Sequence, residues 1–285
     1  MRAVAVGGGH GTAVALRALR LVAEDVTGVV SVADDGGSTG RLRALLDVAA
    51  VGDLRKCLGA LGDPENPLTQ SFEHRFSVGE LNGHALGNLL LVGLIDATGD
   101  LEESVRAAAQ LMGVTGVIVP ASCEGVVLLA STQEGPTRGQ SEVARSSTIR
   151  RISVEPTNAA APFVAVESIE RADVVLIGPG SLFTSVLAAC VVPGILQALA
   201  GTRARKIYVA NLRVQSPETE RFTLDDHVVA LGDHGVRPDV VLVDALSAFA
   251  GQVCSVRTVT TPLSRRSGLV HDVQKLAEAI RAQVR

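Results

Sequence analysis

The chain has 285 residues, enough to bury a sizeable core and to form one large domain or two small ones. Hydrophobic residues make up 47% of it and aromatic residues only 2%, so the interior must be built of Val, Leu, Ala and Ile, and no set of aromatic platforms is available for stacking on bases. With 26 basic and 30 acidic residues the net charge is −4, which leaves no electrostatic footprint for a polyanion and argues against a nucleic acid partner.

The four cysteines, Cys57, Cys123, Cys190 and Cys254, are scattered singly with no C-x-x-C spacing. That excludes a zinc ribbon or compact disulfide framework and fits a reducing cytoplasm. The six histidines include no H-x-x-x-H pair, which argues against a structural zinc site. No apolar run approaches the roughly 18 residues of a membrane span, so a soluble, unexported protein without a membrane-spanning helix is expected.

Along the chain, apolar runs end in glycine or polar clusters at Ala3–Val6, Val26–Val32, Val174–Ile177, Lys206–Ala210 and Val240–Val243, with helical periodicity between them. This alternation predicts parallel β-α-β units. After the first run, Gly7-Gly-Gly-His-Gly-Thr12 opens a helix expected to begin near Thr12, whose free N–H groups and dipole favour a phosphate. Gly8, Gly9, His10, Gly11 and Thr12 are the candidates. The dinucleotide pattern G-x-G-x-x-G fails because its third glycine position is Thr12, so no nicotinamide cofactor is inferred.

The second run leads into Asp34-Asp-Gly-Gly-Ser-Thr-Gly-Arg-Leu-Arg43, a density of special residues beyond what a simple turn needs. Ser38 and Thr39 are expected to cap the next helix. Arg41 and Arg43 fall in its first turns, where cations oppose the helix dipole, and so suggest an anionic ligand. Asp34 and Asp35 can hold Mg²⁺ against a diphosphate or bind ribose hydroxyls, and the residues alone leave that choice open.

A mostly helical insertion is predicted over about 47–112, with helices at Leu54–Leu61, Leu86–Ile95 and Leu101–Met112. Within it, Gly52-Asp-Leu-Arg55 offers a carboxylate, Asp53, and a guanidinium, Arg55, to a ligand or to a local ion pair. His84 and Asn88, four apart and on one helix face, can meet a ligand or serve packing. Val114–Val119, Val126–Ala130 and Ile149–Val154 read as strands around the turn-rich stretch 131–140, which predicts a small antiparallel ribbon.

Gly178-Pro-Gly-Ser-Leu-Phe-Thr-Ser185 repeats the strand-to-glycine design, giving Gly178, Gly180, Ser181 as a cap, Thr184 and Ser185 as further candidates. It is not a G-x-S-x-G nucleophile elbow, since Phe183 stands where the last glycine would be. Asn211 ends the next strand, where ligand contacts gather in this architecture. The segment from His271 to Val284 is amphipathic and predicts a terminal helix.

Taken together, Gly7–Thr12, Val32–Arg43, Gly52-Asp-Leu-Arg55, Gly83-His-Ala-Leu-Gly-Asn88, Gly178–Ser185 and Tyr208-Val-Ala-Asn211 resemble the YvcK/GlmR family of gluconeogenesis factors, within the wider group that includes the transferase CofD. The resemblance implies one doubly wound, mainly parallel, Rossmann-like α/β domain over 1–285, with the helical insertion and the ribbon. It further implies a cytoplasmic regulator, rather than an established enzyme, that binds UDP-N-acetylglucosamine and supports cell shape and envelope synthesis during gluconeogenic growth. An envelope-precursor enzyme is the implied protein partner; Mg²⁺ and a homo-oligomer stay open. The alternative is a CofD-like transfer of a phospholactyl-type group from a nucleotide diphosphate donor. The chain departs from the family at Leu212-Arg-Val-Gln-Ser-Pro-Glu-Thr219, at Phe183 in place of a frequent tyrosine, and at Ala50-Val51 in place of two prolines.

Overall fold

The computed structural model describes residues 1–46 and 48–284; the expected first residue of the helical insertion, Asp47, lies outside the described residues. In chain order, β1 (Arg2–Gly7), α1 (Gly9–Leu19), β2 (Asp25–Val30) and α2 (Gly37–Leu46) are followed by α3 (Gly52–Leu61), α4 (Pro67–Ser71), α5 (Leu86–Thr98) and α6 (Leu101–Leu111). Then come β3 (Val117–Pro120), β4 (Val127–Thr132), β5 (Gly135–Arg138), α7 (Gln140–Arg145), β6 (Ile149–Glu155), α8 (Phe163–Glu170) and β7 (Val174–Ile177). A helix over Leu182–Cys190, here α9, opens with a π-helical turn. The chain closes with α10 (Pro193–Gly201), β8 (Arg205–Val209), α11 (Leu224–Asp233), β9 (Val240–Asp244), β10 (Thr258–Thr261) and α12 (Val273–Arg281).

Seven strands form one sheet in the order β3-β2-β1-β7-β8-β9-β10, and all neighbours are parallel. Its central strands are buried along their length because helices cover both faces, which is why they read as unbroken apolar runs. Counting only this sheet, the first six strands follow the 3-2-1-4-5-6 order of the Rossmann fold, and the order reverses between β1 and β7. The register Ala3↔Val174 through Val6↔Ile177 brings the two glycine loops, after β1 and after β7, side by side at that switch point.

Two sequence expectations change. Val114–Val119 is not part of the ribbon: its strand, β3, adds to the edge of the main sheet beside β2. The antiparallel sheet is β5-β4-β6, and β5 lies inside the stretch predicted as turn. An apolar run identifies a strand but not its partner. The ribbon is tied to the main layer by His234, whose Nε2 accepts from the Ile152 N–H at 2.9 Å while Nδ1 donates to the Ala230 carbonyl at 2.7 Å. Burial lowers the pKa of His234, which suits this neutral, one-donor, one-acceptor role.

The helical insertion is the connection from β2 to β3. Its helices α3, which packs on α1 and against β2 and β3, and α6, which packs on β3, belong to the layer covering the sheet, while α5 pairs with α6 and touches α3. Among the described residues no single helix is long and apolar enough to cross a membrane.

Candidate functional site at the switch point

The first glycine loop is shorter than expected, because α1 begins at Gly9 rather than near Thr12, and Gly8 is its N-cap with no side-chain hydrogen bond. Thr12 is spent inside the helix: its Oγ1 donates to the Gly8 carbonyl at 3.0 Å. Close approach explains two of the glycines. A side chain on Gly11 would run into the Pro179 carbonyl of the second loop, and one on Gly8 would collide with the carboxylate of Asp53 and come within 3.6 Å of Ser185 Cβ. His10 projects from this terminus as an exposed ring. Partial burial, with Lys56 nearby, lowers its pKa, so the ring is neutral at neutral pH.

The adjacent aspartates after β2 point to different places. Asp35 Oδ1 accepts the Ser141 N–H at 2.8 Å, at the start of α7, so this carboxylate joins the β2–α2 loop to the ribbon. One oxygen of Asp35 is thereby engaged at the ribbon rather than beside α3. Asp34 turns the other way: Oδ1 accepts the Gly36 N–H at 3.0 Å, and Oδ2 lies 2.8 Å from where a Cβ on Gly52 would stand, at the first turn of α3. Asp53 follows Gly52 immediately, faces Gly8, and pairs with Lys56 at 2.9 Å. Burial, then the charge of Asp53, raises the pKa of Asp34. Asp53 at the mouth of the glycine loop and Asp34, near enough for the charge of Asp53 to act on it, offer a hard-oxygen donor set. It suits an ion such as Mg²⁺, which is commonly held by one or two carboxylates and completed by phosphate and water. Among the described residues no third metal-ligating side chain joins them.

Four predicted residues meet in a buried relay rather than at the loop. Arg55, 1% exposed, donates from Nε to Asn88 Oδ1 at 2.9 Å; Asn88 Nδ2 donates to Ser38 Oγ at 3.0 Å; and the Ser38 hydroxyl shares a hydrogen bond with Nδ1 of His84 at 3.1 Å. Burial, with Arg41 nearby, lowers the pKa of His84 and favours the neutral ring, which has one donor and one acceptor nitrogen. Arg55 also forms an ion pair with Glu73. Ser38 and Thr39 lie inside α2, which starts at Gly37, so neither is its cap. The relay bolts α2 to α3 and α5, and removing one member would leave buried polar groups unpaired. Arg41 donates to the Asn82 carbonyl at 2.8 Å, and Arg43 donates to the carbonyls of Asp34 and Val126 at 3.1 and 3.2 Å. Both arginines brace loops. Backbone carbonyls supply the negative partners that their unfavourable place on α2 demands.

The second loop is closed. Asn211 clasps Gly180, accepting its N–H at Oδ1 (3.1 Å) and donating from Nδ2 to its carbonyl (2.8 Å) and to Gln215 Oε1 (2.9 Å). Gln215 in turn donates to Ser181 Oγ at 2.9 Å, so Ser181 makes no capping bond of its own. Glu218 accepts the Phe183 N–H at 2.7 Å, the Thr184 N–H at 3.3 Å and the Thr184 hydroxyl at 2.9 Å. The amides expected to face a phosphate therefore face a carboxylate of the chain itself. Ser185 of this loop faces Gly8 of the first.

Between the loops lies a cavity of about 260 Å³ whose walls include His10, Gly11, Gly180, Asn211 and Arg213, with Leu269 and His271 closing the far side. The His271 ring is 6% exposed, and burial pushes its pKa down to about 4. The sequence pattern offered the Asp53 carboxylate with Arg55 but had not singled out Lys56, Gln215, Glu218 or His271. Glu218 stood inside the segment noted as departing from the family, so a signal was present for it.

An open parallel sheet with glycine loops and an acidic pair at its switch point defines a class of α/β proteins that bind ligands beyond the strand ends. The chain belongs to the CofD family: the family model described as 2-phospho-L-lactate transferase CofD matches residues 3–280. Within that group it is similar to the gluconeogenesis factor of Halalkalibacterium halodurans, with 40% identity over 245 residues, covering 84% of this chain and 76% of that one. It is also similar to the gluconeogenesis factor of Bacillus subtilis, with 39% identity over 231 residues, covering 80% and 73%. A relative from Nostoc sp. is 41% identical over 80% of this chain, but the match spans 51% of that protein. Among solved structures, a member of the UPF0052 family from Bacillus halodurans superposes with a TM-score of 0.91 at 36% identity, covering 98% of this chain and 97% of the other. The family resemblance and the doubly wound architecture read from the motifs are thus borne out.

Proposed function

We propose that the crevice at the switch point binds a nucleoside diphosphate sugar, UDP-N-acetylglucosamine in the first place, and that the protein acts as a cytoplasmic gluconeogenesis factor, its 285 residues forming one ligand-binding domain. The observation that carries this reading is the pairing of an uncapped α1 terminus with the carboxylate of Asp53 against Gly8, with Asp34 beside the first turn of α3 that bears Asp53. The α1 N–H groups and dipole receive a phosphate. Carboxylates repel phosphate directly, so Asp53, with Asp34 near it, would hold a Mg²⁺ ion, which would supply the charge that neutralises a diphosphate. Lys56 balances Asp53, and Ser185 offers its hydroxyl from the opposite wall. Occupancy changes the surface offered to an envelope-precursor enzyme, which links the sugar nucleotide supply to cell shape and envelope synthesis when carbon enters through gluconeogenesis.

The test is thermal unfolding with millimolar UDP-N-acetylglucosamine and Mg²⁺. A specific ligand at a hundred times its Kd stabilises the folded state by about 2.7 kcal/mol, and no upward shift of Tm sinks the reading. The family match and the acidic pair also favour a second reading, a CofD-like transferase. It predicts nucleotide release from a GDP-linked phospholactyl-type donor in the presence of a deazaflavin acceptor, whereas binding without turnover supports the regulator.

A further inference from the structure

At the second glycine loop, Glu218 does what a bound phosphate does at the start of a helix. It is 4% exposed, it comes from 34 residues beyond Thr184, and its two oxygens take the amides of Phe183 and Thr184 together with the Thr184 hydroxyl. Burial raises its pKa while these three hydrogen bonds pull it back, the balance expected of a desolvated carboxylate held by donors. With Asn211 on Gly180 and Gln215 on Ser181, residues 211–218 hold Gly180, Ser181, Phe183 and Thr184. The next residue, Ser185, has its Cβ 3.6 Å from where a Cβ on Gly8 would stand, so the setting of the second loop fixes the width of the first.

We infer that Glu218 is a positioning residue of the crevice: an internal anion that fills the seat at the second glycine loop, holds Ser185 against the first, and leaves a ligand's phosphates only the α1 terminus. This rests on the reading that the ligand carries phosphate. It explains why two loops of similar sequence design do not serve as two phosphate sites. An anion cannot share a seat with a buried carboxylate that already uses its donors, since the repulsion of like charges is strong where water is excluded.

The experiment follows backbone amide NMR signals while Mg²⁺-UDP-N-acetylglucosamine, and separately inorganic pyrophosphate, is titrated into the wild type, E218Q and E218A. In the wild type and E218Q, signals of Gly9–Gly11 move and those of Phe183 and Thr184 stay. In E218A the vacated amides respond saturably to pyrophosphate, and sugar nucleotide affinity falls about tenfold, while E218Q stays within about threefold of wild type because its amide oxygen still accepts from both N–H groups. Wild-type Phe183 and Thr184 signals that move with ligand, an E218A protein silent at those amides, or wild-type affinity in E218A overturns the inference. If no nucleotide moves Gly9–Gly11, the proposed function fails, while the pyrophosphate response of E218A still decides the role of Glu218. If E218A does not fold, the wild-type titration decides: Phe183 and Thr184 moving overturns the inference, and Gly9–Gly11 moving alone upholds it.

Discussion

The two glycine loops flank the same switch point and start from the same design, a parallel strand running into glycines and hydroxyls, yet they end differently. The loop after β1 leads into an uncapped helix with Asp53 at its mouth, and Asp53 has Lys56 as its charged partner. The loop after β7 is filled by Glu218 and clasped by Asn211 and Gln215. The lesson is that a glycine loop at a strand end becomes an anion site only if the rest of the chain leaves its donors free. That second condition is set by residues far away in sequence.

The most severe break of this arrangement is Gly11→Val, because the added side chain meets the Pro179 carbonyl where the two loops touch. Backbone against Cβ has no flexible end to yield, so a loss of about 3 kcal/mol or more is expected in chemical denaturation, together with loss of ligand binding. A smaller, graded test uses pH. The folded His271 ring holds a proton less tightly than the unfolded one, at about 4 against 6.5, because burial outweighs the pull of Asp244 and the Ala210 carbonyl. The unfolded state therefore binds more protons in that window. Stability is fully present above about pH 6.5 and declines as pH falls toward about 4, by at most about 3 kcal/mol. Asp34 and Glu218, whose pKa values are raised, act in the opposite sense and soften the decline. His271→Gln should flatten the slope of stability against pH in that window, and an unchanged slope would remove His271 as its source. Smaller again, Asn211→Ala frees Gly180 at the cost of about 1–2 kcal/mol, read by denaturant midpoint, since it strips two hydrogen bonds from a partly buried backbone.

How far each loop was readable follows from the same contrast. The runs Ala3–Val6 and Val174–Ile177 announced β1 and β7 because a strand covered on both faces has no polar positions. The strands β5, Gly-Pro-Thr-Arg, and β10, Thr-Val-Thr-Thr, lie at sheet edges and carry no such run, so the pattern passed over them. At the site, the glycines, Asp34, Ser38, Arg55, His84 and Asn88 stood out by type and spacing. That four of these form a relay away from the loop depends on how α2, α3 and α5 pack, which no local pattern encodes. Asp35 looked equivalent to Asp34, yet one step along the backbone turned its carboxylate to Ser141. Glu218 reaches its amides across 34 residues, and Asp53 reaches Gly8 across the layer of helices; neither contact has a local signature.

The most direct test of the difference between the loops is calorimetric titration of UDP-N-acetylglucosamine, with and without Mg²⁺, into the wild type and Asp53→Asn. The open-loop account predicts Mg²⁺-dependent binding in the wild type and a loss of more than about tenfold in affinity in D53N, with its unfolding temperature close to wild type. Equal affinity in the two proteins, or binding indifferent to Mg²⁺ in both, would contradict it.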